Sequence, residues 1–302
     1  MKNKSSNSIA LLSCLLYFAM NTAFANHHSE DEDSYQKASH TSLQEVLDAQ
    51  DEATQARYQY RHPLETLNFL GIKPGMNVAD VLPGSGGWYS KILIPYLGSK
   101  GRLLGVDYSI KMWPMFSFAS EDFLKSKETW TTTWVEDAQK WRGESGAEVS
   151  ATTFGQFSDE LNNTLDAIIF VRAMHHLVRF EDKGGYLTSA TAEAFAALKP
   201  GGIAGVVQHE AYADRADSWA DGNNGYVKKA QIISAFEKAG FKLVAESDIN
   251  ANPKDQADEG DVVWRLAPTL GGSKDKPELR EEMLEIGESN RMTLKFVKPA
   301  AI

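Results

Sequence analysis

Three groups of residues have types and spacing that could do chemistry. The first is a Gly-rich turn at the end of a short apolar run, NVADVLPGSGGWYS, from Asn77 to Ser90. Glycines let the backbone approach a ligand closely, and a helix starting near Trp88 offers free N–H groups. That combination suits a nucleotide-like molecule. The second is Asp107 in LLGVDYS, twenty-three residues after Gly84. An acid at the tip of a second strand is placed to accept hydrogen bonds from a ribose diol. The third is a set of imidazoles, His175 and His176 in RAMHHL and His209 at the end of the following strand. Histidine titrates near neutrality and can move a proton there.

The hydrophobic pattern supplies the elements that must hold these residues. Apolar runs at 78–82, Arg102–Asp107 and Leu165–Val171 read as strands. Leu165–Val171 (LDAIIFV) is near-continuously apolar, as a strand covered on both faces is. Glu148–Phe154, Ile203–Gln208, Phe241–Glu246 and Arg291–Val297 complete a set of seven. Helical patterns lie between them, at Trp88–Leu97, at 187–198, at Ala230–Ala239 and at 277–288. Lys111–Arg142 is aromatic and largely helical, and its rings either wall a pocket or pack a helix on the sheet. His175 and His176 fall at the tip of the fourth strand, where neighbouring side chains diverge. VVWRLAP, 262–268, is an apolar insertion without a defined form.

Upstream, Ser42 and Glu45 make a capping box for a helix carrying Leu43, Val46 and Leu47. Pro63 opens a second helix, stopped by Gly71. Between them Arg57, Tyr58, Tyr60, Arg61 and His62 either line a ligand mouth or stand exposed. Strands alternating with helices predict an α/β fold with a mostly parallel seven-stranded sheet and helices on both faces.

The chain has 302 residues and a formal net charge of −10, which argues against nucleic acid as a partner. Residues 1–25 read as a leader. Lys2 and Lys4 form its charged start, Ile9–Met20 its apolar stretch, and Ala23-Phe24-Ala25 its cleavage site. Cleavage after Ala25 predicts an exported, periplasmic protein with no integral membrane span and a charge of −12, since Lys2 and Lys4 leave with the leader. Cys14, the one cysteine, would leave with them, excluding a disulfide or a thiolate nucleophile in the mature chain. A new terminus at Asn26-His27-His28 has the donors to chelate Cu(II), although a solvated tail is the plainer reading. Residues 26–56 then form a polar tail and first helix, and 57–302 the main domain.

The segments VADVLPGSGG, LLGVDYS, LDAIIFVRAMHHL and ALKPGG, in that order, resemble class I S-adenosylmethionine-dependent methyltransferases over about Arg57 to Pro299. More narrowly, RHPLETLNFLGIKPGMNVADV with PGSGGWYSKILIPYL resembles a group of exported bacterial proteins described only as predicted methyltransferases. The resemblance implies a Rossmann-like methyltransferase sandwich, S-adenosyl-L-methionine as cofactor and a small-molecule acceptor. It implies that Asp80 lies at the methionine end of the cofactor, that Gly84, Ser85 and Gly86 form the turn around it, and that Asp107 and Tyr108 hold the ribose. The family's first glycine falls at Leu82 here, followed by Pro83. Methyl transfer from a sulfonium needs mainly positioning, and a base only where the acceptor must lose a proton. His175 is the first candidate for that base, followed by His176 and His209.

Two other classes of function compete. Export and the missing glycine suit a non-catalytic binding protein on the same fold. Gly84-x-Gly86 and Asp107 would also serve an NAD(P)-dependent oxidoreductase, but the third glycine of that fingerprint falls at Tyr89. A metal gathered by His175, His176, His209 and Glu210 is disfavoured by the divergence of adjacent strand residues.

Overall fold

The apolar run Leu165–Val171 forms the strand β4 at the centre of the sheet, buried by helices on both faces. The computed structural model describes residues 41–300. The leader, Cys14 and the Asn26-His27-His28 terminus lie outside the described residues. The other strands are β1 (Asn77–Val81), β2 (Arg102–Asp107), β3 (Glu148–Thr153), β5 (Leu198–Ala211), β6 (Val227–Lys228), β7 (Lys242–Ser247) and β8 (Arg291–Val297). Their order is β3-β2-β1-β4-β5-β8-β7, with β8 antiparallel to both neighbours and the rest of that path parallel. This is a Rossmann-like α/β sandwich.

The sheet departs from the expected seven strands in one addition and one extension. The two-residue β6 adds an eighth strand beside the far end of β5. β5 begins at Leu198, ahead of the expected Ile203, and takes in Lys199-Pro-Gly-Gly, with a shift of register against β4 between Leu165 and Ala167. Both features are set by pairing with residues distant in sequence.

Alternation along β1 sorts the two layers: Val78 faces one cluster, and Ala79 and Val81 the other. The first layer is built by the helices Leu43–Asp48, Pro63–Leu70, Trp88–Leu97 and Trp130–Arg142. The second is built by Tyr186–Ala197 and Lys229–Lys238. Ser42 does cap its helix through Glu45, and Leu43, Val46 and Leu47 share a cluster with Leu67 and Tyr89. The compact unit therefore starts at Ser42. Of the aromatic stretch, Trp134 is core of the first layer and Trp113 and Phe116 are core of the second. No helix among the described residues is long and apolar enough to cross a membrane.

Strand order reverses at β1, whose neighbours are β2 and β4. A crevice opens there beyond the strands' carboxyl ends, where open α/β sheets bind ligands. The turn after β1 passes under the indole of Trp141, and Gly87 starts the next helix with φ +51°. A Cβ at Gly87 would overlap that indole. Gly87→Ala should therefore lower stability by roughly 1–3 kcal/mol through strain and overpacking, measured as the shift in urea midpoint. An unchanged midpoint would show that the turn does not need the close approach.

Candidate active site

The carboxyl ends of β1, β4 and β5 meet at a cavity of about 210 Å³. Two of its walls are strained. Leu82 and Arg172 are each the first residue after their strand, at φ +56° and +58°. Each donates its N–H across the sheet, Leu82 to the Val106 carbonyl and Arg172 to that of Val207, both at 2.7 Å. A non-glycine residue in the left-handed region costs on the order of 1–3 kcal/mol and persists only where its surroundings enforce it. Leucine thus takes the left-handed conformation at the position where the family resemblance expects glycine, and its side chain lines the cavity.

The three histidines come together here. His175 and His176 lie on the short helix Met174–Arg179, not on the strand tip. The expected divergence of adjacent strand residues therefore does not apply, and their rings sit 3.9 Å apart. His209 is 5.5 Å from His175, and all three line the cavity. Burial lowers the pKa of each, to about 4 for His175, with nearby cationic side chains adding to the effect. All three are neutral at pH 7.

Hydrogen-bond partners assign the tautomers. Gln208 accepts from the Met174 N–H at 3.0 Å and donates to the Gly225 carbonyl at 3.1 Å. His175 Nδ1 lies 3.3 Å from the Gln208 amide nitrogen and 3.5 Å from its oxygen; the shorter contact has Nδ1 accepting, which leaves the proton on Nε2. That Nε2 is buried without a partner. Tyr108 donates its O–H to the Ala173 carbonyl and accepts, at 3.4 Å, from His176 Nδ1. His176 Nε2 is thereby left as a lone pair. His209 Nδ1 pairs with Ser289 Oγ at 2.6 Å. The two adjacent histidines thus have opposite capacities, His175 to donate and His176 to accept.

One side of the cavity carries charge. Glu288 is 2 % exposed and is paired with Arg57, with Arg61 at 2.9 Å and with Arg291 at 3.0 Å. Burial alone would raise its pKa, but Arg291, Arg61, Arg172 and Arg57 outweigh it and hold it at about 2. Arg57 and Arg61, open in sequence between ligand mouth and exposed surface, instead anchor this cluster. Trp264, from the apolar insertion, stacks on His176 at 6.1 Å and walls the cavity.

The residues expected around a cofactor are distributed unevenly. Gly84, Ser85 and Gly86 are exposed, and a Cβ on either glycine would meet nothing within 4 Å, so the turn is open to a ligand. Asp80 is buried and accepts from Ser90 Oγ at 2.7 Å. Asp107 does close β2, but its carboxylate is engaged. Oδ1 accepts from the Tyr108 N–H and Oδ2 from Lys127 Nζ, both at 2.8 Å. Lys127 in turn lies 3.9 Å from the centre of the Trp113 ring. Tyr108 is wholly buried and acts on His176. The turn fits a nucleoside cofactor as it stands, and Asp107 fits once Lys127 yields its place. Lys127 sits on Glu121–Glu128, a helix with no buried residue.

Sequence spacing did not mark Lys127, Gln208, Glu288, Ser289 or Trp264. The polar run Gly287 to Arg291 before an apolar strand was the available signal for two of them. Among the described residues, no group of three His, Cys, Asp or Glu side chains is arranged to hold a metal ion.

No protein-family model matches the chain, and no curated protein matches it. Solved structures do. One is a SAM dependent methyltransferase from Aquifex aeolicus, 17% identical over 70% of this chain and 94% of that one, with a TM-score of 0.44. Another is geranyl diphosphate C-methyltransferase from Streptomyces coelicolor A3(2), 12% identical over 80% of this chain and 78% of that one, TM-score 0.46. A third is a phosphoethanolamine N-methyltransferase of Haemonchus contortus, 17% identical over 86% of this chain and 60% of that one, TM-score 0.44. At this level the similarity is one of chain path, and the chemistry of the site has to come from its own residues.

The site also makes a prediction about pH. Burial, partly offset by Ser90, raises Asp80 from 3.8 to about 7. Folding therefore favours its protonated form. That contribution is fully present below pH 3.8 and is lost as pH rises through about 7. Asp80→Asn keeps an acceptor for Ser90 and does not titrate. Its stability relative to the parent should climb from about pH 4 to about pH 7 and then level off, in paired urea titrations. A difference independent of pH would mean that Asp80 is ionised throughout.

Proposed function

We propose that the protein transfers a methyl group from S-adenosyl-L-methionine to a small-molecule acceptor held in the cavity, with His176 as the base where the acceptor must lose a proton. The observation that carries this reading is a neutral histidine with a free lone pair, lining a cavity beside an open Gly84-x-Gly86 turn. When bound, the cofactor supplies an electrophilic methyl on a sulfonium, which needs orientation more than activation. Gly84, Ser85 and Gly86 would hold it against the start of the helix Trp88–Leu97, and Asp107 would receive its ribose in exchange for Lys127.

The chain's own part is positional. Tyr108 fixes the His176 ring through Nδ1, so that the free Nε2 can take the acceptor's proton. The His175 Nε2–H can donate to the same acceptor. Trp264, Leu82 and Val171 exclude water from around it. The engagement of Asp107 by Lys127 favours the second reading, a binding protein without turnover, which an Asp107 variant with unchanged ligand binding would support. We also propose export to the periplasm, on the charged start, apolar stretch and Ala23-Phe24-Ala25 site of residues 1–25.

Calorimetric titration of the purified protein with S-adenosylhomocysteine should give saturable binding in the micromolar range. Asp107→Asn should weaken it roughly tenfold, the order of one charge-assisted hydrogen bond. Absence of heat and of any shift in melting temperature would remove the methyl-transfer reading. With an acceptor in hand, His176→Asn should lower kcat by roughly a hundredfold, and a wild-type kcat would take the role of base from His176. Amino-terminal sequencing of protein recovered from the periplasm should begin at Asn26, and a start at Met1 would contradict cleavage.

A further inference from the structure

Four arginines converge on one carboxylate beside the cavity. Glu288 spends Oε1 on Arg57 and Arg61 and Oε2 on Arg291. The fourth, Arg172, is left over. Its Nε is buried without a partner, and its side chain makes no hydrogen bond or ion pair among the described residues. The formal balance is three positive charges in excess at a largely buried position, and an uncompensated buried charge is costly unless something pairs with it. Arg172 is also held there by force, at φ +58° and pinned through its N–H to Val207.

We infer that the cavity binds a small organic carboxylate, its oxyanion on Arg172 and its apolar body against Trp264 and Leu82. A guanidinium presents a planar fork that matches a carboxylate with two parallel hydrogen bonds. The His175 Nε2–H, also buried and without a partner, lines the same cavity and adds a neutral donor. Glu288 lines the cavity too, but its oxygens are already satisfied by the other three arginines, so it leaves Arg172 free for the ligand. The apolar part of the lining, Leu82, Val171, Val263, Trp264 and Pro268, offers no charge and suits a compact apolar or aromatic body. At about 210 Å³ the space admits a molecule of roughly ten heavy atoms. Burial and the neighbouring arginines lower the pKa of Arg172 to about 9, so it remains charged at pH 7.

As the class of methyl acceptor this rests on the methyl-transfer reading; as an anion site it stands without it. The test therefore omits the cofactor. The purified protein is titrated with benzoate and, separately, with inorganic phosphate in chloride buffer. Saturable binding of benzoate, with a rise in melting temperature, is expected. Arg172→Asn, which tolerates the left-handed backbone, should weaken it at least tenfold, and Arg172→Lys should recover part of the loss. Trp264→Ala should weaken benzoate and leave phosphate unchanged. No saturable benzoate binding by the wild type, or wild-type affinity in a folded Arg172→Asn protein, would overturn the site. Phosphate binding as tight as benzoate would overturn the apolar half. Benzoate binding without any S-adenosylhomocysteine binding would remove the methyl-transfer reading and leave the anion site standing.

Discussion

The pairing of Glu288 with Arg57, Arg61 and Arg291 is the constraint from which the site follows. It ties the helical segment before the sheet to the start of β8, more than 220 residues away in sequence. Arg61 also lies 4.6 Å from the Trp88 ring, so the same cluster reaches the helix that follows the glycine turn. One carboxylate cannot satisfy four guanidinium groups. Breaking a buried pair typically costs 3–5 kcal/mol, because the surviving charge has nowhere to go. The cluster is therefore stable only with its members where they are, and that geometry leaves the charge of Arg172 directed to the cavity rather than to Glu288.

Backbone strain serves the same end. Leu82 and Arg172 end adjacent parallel strands, share the left-handed conformation and make the same cross-sheet hydrogen bond. Glycine would hold either position without strain, but neither side chain would then exist. The fold accepts the strain at both strand ends and gains an apolar wall from one and a cation from the other. Strained residues that cluster at one opening are a sign of function when, as here, the outliers are observed and not inferred.

Much of the sheet was legible because buried strands write apolar runs, near-continuous in β4 and broken by Thr293 and Lys295 in β8. β2, β4 and β8 have the bounds that their runs indicate, as does the helix Trp88–Leu97. What was illegible depends on partners far apart in sequence. Arg57 and Arg61 stood out, but nothing near them announces Glu288. Asp107 was found at the tip of β2, yet the lysine that closes it comes from a surface helix in which Phe123 and Leu124 mark the inward face and nothing marks Lys127 as the partner of a buried acid. His175 and His176 were found as residues and misplaced as structure. A six-residue helix is too short for periodicity to separate it from the strand before it, and the left-handed Arg172 that makes the break is not a residue that signals one. The distinction between donor and acceptor histidine was beyond any sequence reading, because it rests on Gln208 and on the spare lone pair of Tyr108.

The two halves of the crevice differ in how ready they are. On the side of β4 and β5 the groups are set before any ligand arrives: imidazoles held by Gln208, Tyr108 and Ser289, an arginine pinned through its backbone N–H, and an indole stacked on His176. Preorganised dipoles of this kind cost no reorganisation when a ligand binds. On the side of β2 the reverse holds. Asp107 is buried in an ion pair, and a ligand that used it would first have to displace Lys127 from between that carboxylate and Trp113. The exchange replaces one charge-assisted contact with others, so its net cost is far smaller than that of exposing a lone buried carboxylate. Lys127 thereby offsets part of the cost of burying Asp107 at the strand tip. Burial still raises the carboxyl above its ordinary range, with Lys127 and the Tyr108 N–H opposing it.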